Sequence, residues 1–102
     1  MKTILSLFLA GFALAFSGAS LASNAEAGKS KSSICGSCHG ANGISSSPTV
    51  PNLAGQQEAY LAKATKDYRD GKRKDPIMES LVKGLSNADI DDLAAFYSGL
   101  KK

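Results

Sequence analysis

Cys35-Gly36-Ser37-Cys38-His39 is the stretch around which the rest of the sequence arranges itself. Two thiols three positions apart stand one helical turn from each other, and an imidazole follows at once. Gly36 and Ser37 are small and leave room for a bulky group to approach. The chain has no other cysteine and no other histidine. Three common uses of a close cysteine pair fit poorly. A thioredoxin-like redox pair calls for a strand-helix-strand setting, and none is visible. A zinc site calls for a fourth ligand, usually from a second Cys or His pair. A disulfide across two intervening residues would close a tiny loop and constrain little of the unfolded chain.

The remaining reading is the attachment pattern of a c-type haem. Each thiol would add to one vinyl group of the porphyrin, and His39 would sit beneath the iron. Such a haem has either a sixth ligand or an open position. Met78 is the only methionine besides Met1, in a stretch that reads as loop. A lone Met in a small domain is more often a flexible core filler than a ligand. Beside an attachment motif that balance reverses, because a thioether suits haem iron and a Met/His pair raises the reduction potential.

The N-terminus reads as an export signal. Lys2 supplies positive charge, Ile4 to Phe16 form an apolar run, and Ser17-Gly18-Ala19-Ser20-Leu21-Ala22 provide small residues. The run is shorter than the roughly 20 residues needed to span a bilayer, so a membrane anchor is not expected after processing. The expected signal peptide covers residues 1–22, with cleavage as late as residue 25, and the expected domain covers residues 26–102. A domain of about 80 residues is near the lower limit for folding on its own apolar surface. Small exported domains compensate with disulfides, a metal or a cofactor. The net charge of +3 is mild and mixed in sign, without aromatic residues interleaved for base stacking, which sets nucleic acid aside.

An all-α fold with no internal repeat is expected, with three helical segments. The first, Ala27 to Cys35, is short and polar. Gly40 to Gly55 carries Pro48 and Pro51 and reads as a long ordered loop. A second helix is predicted over Gln56 to Asp70, with Tyr60, Leu61, Ala64, Thr65 and Tyr68 on one side and Gly71 as its stop. A second loop follows from Lys72 to about Ile77. The third helix starts at Ser86, an N-cap with Asp89 three residues on, and presents Ile90, Leu93, Ala94, Phe96, Tyr97 and Leu100.

With these features in place, the chain resembles the small class I bacterial cytochromes c. It is most similar to the single-haem units of dihaem cytochromes c and to the cytochrome subunit of flavocytochrome c. The resemblance covers the whole expected domain. It rests on Gly28, Cys35-Gly-Ser-Cys-His-Gly40, Gly43, Pro51-Asn-Leu-Ala-Gly-Gln56, Tyr60-Leu61, Gly71-Lys-Arg73, Met78, Leu85-Ser-Asn-Ala-Asp-Ile90 and Leu93-Ala-Ala-Phe-Tyr97.

The resemblance implies a cytochrome c fold, three main helices wrapped around one haem c. It implies thioethers from Cys35 and Cys38, His39 as proximal ligand and Met78 as distal ligand. It further implies that the Pro51 carbonyl accepts a hydrogen bond from His39, that Leu53 presses on the haem face, and that Gly28 lets the first and last helices cross closely. The family usually carries a large apolar residue just before the haem cysteines; here only Ile34 qualifies, so the first helix is expected to add little to the core. The core is expected from Leu53, Leu61, Leu81, Val82, Leu85, Leu93 and Phe96.

With both axial positions held by protein, the resemblance implies outer-sphere electron transfer in the periplasm rather than an enzyme. Two functions stand side by side: a free soluble shuttle, and the haem subunit of an oxidoreductase such as flavocytochrome c sulfide dehydrogenase, with a flavoprotein partner. A gas sensor would require a labile Met78. Lys29, Lys31, Lys72, Arg73, Lys74 and Lys83 are candidates for a docking rim, and Ile44, Val50, Ile77 and Val82 for an apolar contact patch.

Overall fold

The computed structural model describes residues 22–102. The expected export segment, except for Ala22, lies outside them. Among the described residues the chain forms five helices and no strand: α1 Ala25–Lys31, α2 Ser33–His39, α3 Glu58–Arg69, α4 Pro76–Val82 and α5 Asn87–Ser98. The all-α expectation holds.

The first expected helix is two. It breaks at Ser32, whose hydroxyl and amide both donate to the Lys29 carbonyl, at 2.8 and 3.2 Å. A side-chain donor competing for a backbone acceptor favours a local turn over continued helix. The chain resumes as α2 and carries the whole cysteine-histidine motif on helix, ending at His39 rather than Cys35. At Gly40 the chain turns with φ +89°, and a Cβ there would overlap the Ile44 carbonyl.

The loop-like stretch around Met78 is the second correction. It forms α4, with Asp75 as N-cap and Pro76 in the first turn. Asp-Pro at a helix start is a legible signal, because proline lacks only an amide that would be unpaired there anyway. The other two helices match their expected extents closely. Gly71, at φ +78°, follows the C-cap of α3, and Ser86 and Asp89 form a reciprocal capping box on α5.

The core lies where α5 crosses its neighbours. Ile90, Leu93, Ala94 and Tyr97 recur at helical spacing and are buried. Leu93, Ala94 and Tyr97 pack with Leu61, and Leu53, Leu85, Phe96 and Leu100 close around them. Leu81, expected inside, is exposed at the rim of a cavity. Ala54 belongs to the buried set and was named neither in the expected core nor on an expected apolar helix face.

Gly28 decides how α1 sits. A Cβ at this position would overlap the Asp92 backbone carbonyl and lie 2.9 Å from the Phe96 Cβ. Only a hydrogen permits that approach. Gly28 is the sole buried residue of α1, as its polar sequence implies. Polar contacts supply what apolar ones do not. Lys31 bridges Asp89 and Asp92, each at 2.9 Å, and the Asn24 amide donates to Asp92 at 2.8 Å.

These contacts shift the groups involved. Hydrogen bonds from Ser86 and then Lys31 pull Asp89 down to about 2, Lys31 and Asn24 lower Asp92, and the two carboxylates raise Lys31. Carboxylates depressed in the folded state add stability above their unfolded pKa, about 3.9, and lose it as pH falls toward 2. The Lys31→Met variant should therefore melt lower than wild type at pH 6, with the gap shrinking as pH falls from 4 to 2. Parallel melting curves across that window would contradict this role for Lys31.

Candidate haem site

A cavity of about 340 Å³ opens beside the core, with α2, α3, α4, α5 and the 40–57 loop as its walls. The five residues expected on one side of the second helix, Tyr60, Leu61, Ala64, Thr65 and Tyr68, all line it. So do Cys35, Cys38, His39, Pro51, Leu53 and Met78. The six residues expected to hold or touch the cofactor thus border one cavity, while Lys29, Ile44, Lys72, Lys74 and Lys83 of the expected docking surface do not line it.

The donors come from separate elements. His39 ends α2, is 8% exposed, and has its Nδ1 2.7 Å from the Pro51 carbonyl oxygen. A carbonyl can only accept, so Nδ1 carries the proton and Nε2 keeps its lone pair. This is how a metal-binding histidine is usually oriented. Met78 comes from the first turn of α4, half-buried, its amide donating to Asp75 at 3.1 Å. Leu53 comes from the loop, whose following turn is tied to α5 by the Gly55 amide on the Tyr97 carbonyl at 3.0 Å.

Both thiols are free. Burial raises the Cys35 thiol, and burial together with the nearby Cys35 pushes Tyr97 up to about 12. A thiol pushed up stays protonated at neutral pH, the reverse of the depressed thiol of a redox pair. Among the described residues no three His, Cys, Asp or Glu side chains gather as a metal site. The structure therefore speaks against the thioredoxin-like and zinc readings.

The residues present fit a haem. The walls are largely apolar, as a porphyrin requires, two free thiols stand one turn apart at one side, and imidazole and thioether reach the same space from different helices. Thr49 and Asp75 also line the cavity and were not singled out in the sequence. Ile34 is 51% exposed and Ile77 66% exposed, and both border the opening with Leu81.

The cytochrome c family model matches residues 25–101. The chain belongs to the cytochrome c family. Membership of that family implies haem c as the cofactor. It is 44% identical over 101 residues to cytochrome c4 of Pseudomonas aeruginosa, covering 99% of this chain and 47% of that protein. It is 45% identical over 80 residues to cytochrome c-554(548) of Halomonas halodenitrificans, covering 76% of this chain and 96% of that one. A further relative is the cytochrome subunit of sulfide dehydrogenase from Chlorobaculum tepidum, 32% identical over 68 residues, covering 67% and 61% of the two chains.

The crystal structure of reduced cytochrome c4 from Pseudomonas stutzeri matches with a TM-score of 0.75 at 40% identity, covering 78% of this chain and 47% of that one. The cytochrome c fold is thus shared. The chain spans about half the length of the cytochrome c4 proteins it matches.

If the cavity is completed by covalent attachment, removing both thiols removes the centre of the fold. The exported Cys35→Ala/Cys38→Ala protein should be largely unfolded, with low helical circular dichroism and no cooperative thermal transition. A cooperative melt in the haem-free double variant would contradict this.

Proposed function

We propose that this chain is an exported single-haem electron carrier, with haem c attached at Cys35 and Cys38 and ligated by His39 and Met78. The observation that carries the reading is the meeting of four side chains at one apolar cavity: both thiols, the oriented imidazole and the thioether. When bound, the haem supplies one-electron Fe(III)/Fe(II) chemistry.

The protein's own groups do the rest. Pro51 holds the imidazole by its Nδ1–H and leaves Nε2 for iron. Met78 would supply the second protein ligand to the haem iron and leave no place for a substrate, which favours carrying electrons over catalysis. Leu53 and Leu61, which line the cavity, would keep water from a bound haem and favour a high potential.

Export follows from the charged, apolar and small-residue order of residues 1–22, and the periplasm is the destination. Cleavage after Ala22 fits the fold. Ser23 donates to Glu58 at 2.9 Å, and Asn24 caps α1 by accepting from Ala27 at 3.0 Å. Cleavage after Ala25 would discard that cap, worth about 1 kcal/mol.

Partners meet the protein at the cavity mouth. Its rim is apolar at Ile34, Ile77 and Leu81, with Arg73 beside Tyr60 and exposed Lys72 and Lys74 flanking it. Lys31 is withdrawn from the expected docking rim by its two aspartates. Val82 is withdrawn from the expected contact patch by burial. A small apolar face with a basic fringe suits brief, charge-steered encounters with redox partner proteins. The same exposed Ile77 supports a second reading, a haem subunit whose face is covered by a flavoprotein.

Two experiments test this reading. The ferric protein should show the weak near-infrared sulfur-to-iron charge-transfer band, and Met78→Ala should abolish it and lower the potential; a band that survives the substitution would remove Met78 as ligand. Gel filtration of material from the native source, at low and high salt, addresses the partner. A shuttle elutes alone in both buffers, and its electron transfer slows as the Debye length falls from about 10 Å at 0.1 M to about 3 Å at 1 M. Co-elution with a flavin-containing chain in both would contradict the shuttle.

A further inference from the structure

The side chain of Met78 has three rotatable bonds and a polarisable sulfur, which adapts easily and is held weakly by its own torsions. Its reach into the cavity therefore depends on how firmly its backbone is fixed. Three neighbours fix it. The Asp75 carboxylate accepts through one oxygen from the Ile77 amide at 3.0 Å and from the Met78 amide at 3.1 Å. The Glu79 carboxylate reaches back to accept from the Asp75 amide at 3.0 Å. Pro76 between them has its φ set by its ring. The far end of α4 is held as well, by buried Val82 and by Arg69, which donates to the Leu85 carbonyl at 3.1 Å.

Resting on the proposed axial role of Met78, we propose that Asp75 is a positioning residue for the Met78 sulfur, holding it in place through the Met78 amide. Asp75 borders the cavity without being one of the proposed ligands, and its carboxylate is engaged by the Ile77 and Met78 amides. Its carboxylate seats the first turn of α4, and that turn carries both Met78, whose thioether lines the cavity, and exposed Ile77 at the mouth. One acidic side chain thus sets the thioether and the partner-facing isoleucine together. A helix cap elsewhere would stabilise the fold without this effect. Ser86, which caps α5 through the Asp89 amide at 3.0 Å, supplies the comparison.

The test is a titration of the ferric holoprotein with imidazole, which competes with the thioether for the axial position, read together with the near-infrared band. Asp75→Ala should bind imidazole roughly fivefold more tightly, in line with the usual worth of an N-cap, and lose part of the band. Asp75→Asn keeps an acceptor without the charge and should stay near wild type. Ser86→Ala should lower the melting temperature yet leave imidazole binding unchanged. Glu79→Ala frees the Asp75 backbone only and should shift binding in the same direction by a smaller factor, which keeps the test available if D75A fails to mature.

Wild-type imidazole binding in both D75A and E79A, or an equal shift in S86A, would overturn the inference. A wild-type protein lacking the band would instead remove Met78 as ligand, and the inference with it.

Discussion

Gly28 brings α1 against the backbone of α5 so closely that a single methyl group would overlap the Asp92 carbonyl. The cysteine-histidine segment is hung from that crossing. Since α2 follows α1 after one turn at Ser32, the seating of α1 on α5 fixes where Cys35, Cys38 and His39 enter the cavity. Tyr97, on the same α5, donates to the Ser32 carbonyl at 3.4 Å and ties the turn itself to the core. Its carbonyl also holds Gly55 and so anchors the loop that presents Pro51 to His39. One helix therefore positions the thiols directly and the imidazole's hydrogen-bond partner through the loop.

The way α1 is attached shows how a polar helix can be placed accurately. It buries one glycine and otherwise relies on Lys31, Asn24 and two aspartates of α5. Exposed ion pairs individually contribute little. Here a close backbone approach leaves no room for a different register, and the charges select among the few that remain. Adequate specificity with a small apolar contribution suits a chain whose interior is organised around a cofactor. Among the described residues no buried side-chain nitrogen or oxygen lacks a partner, so the polar docking leaves nothing unpaired.

Much of this was legible in the residues. The cysteine-histidine spacing, the Gly71 stop and the Ser86 capping box are local signals whose meaning does not depend on tertiary context, and each is found where it was expected. The face formed by Tyr60, Leu61, Ala64, Thr65 and Tyr68 was legible from helical period, and it is the cavity wall. The break at Ser32 was not, because a serine in a helical stretch caps or continues according to which carbonyl it can reach. The helix at Met78 was obscured by the Lys-Arg-Lys-Asp-Pro run before it, although Asp-Pro itself marks a helix start. The exposure of Leu81 was hidden for a different reason: a helix that borders a cofactor cavity carries apolar residues that hydrophobic periodicity assigns to a core.

On the proposed reading, one haem bound through Cys35 and Cys38 occupies the cavity of the mature chain. The most direct measurement is the intact mass of the exported protein, followed by mapping of its proteolytic peptides under acid conditions that extract non-covalent haem. The exported protein should carry the mass of one haem beyond its polypeptide, all of the added mass lying on the peptide that contains Cys35 and Cys38. A bare chain, or a mass two hydrogens short from a Cys35–Cys38 disulfide, would contradict it.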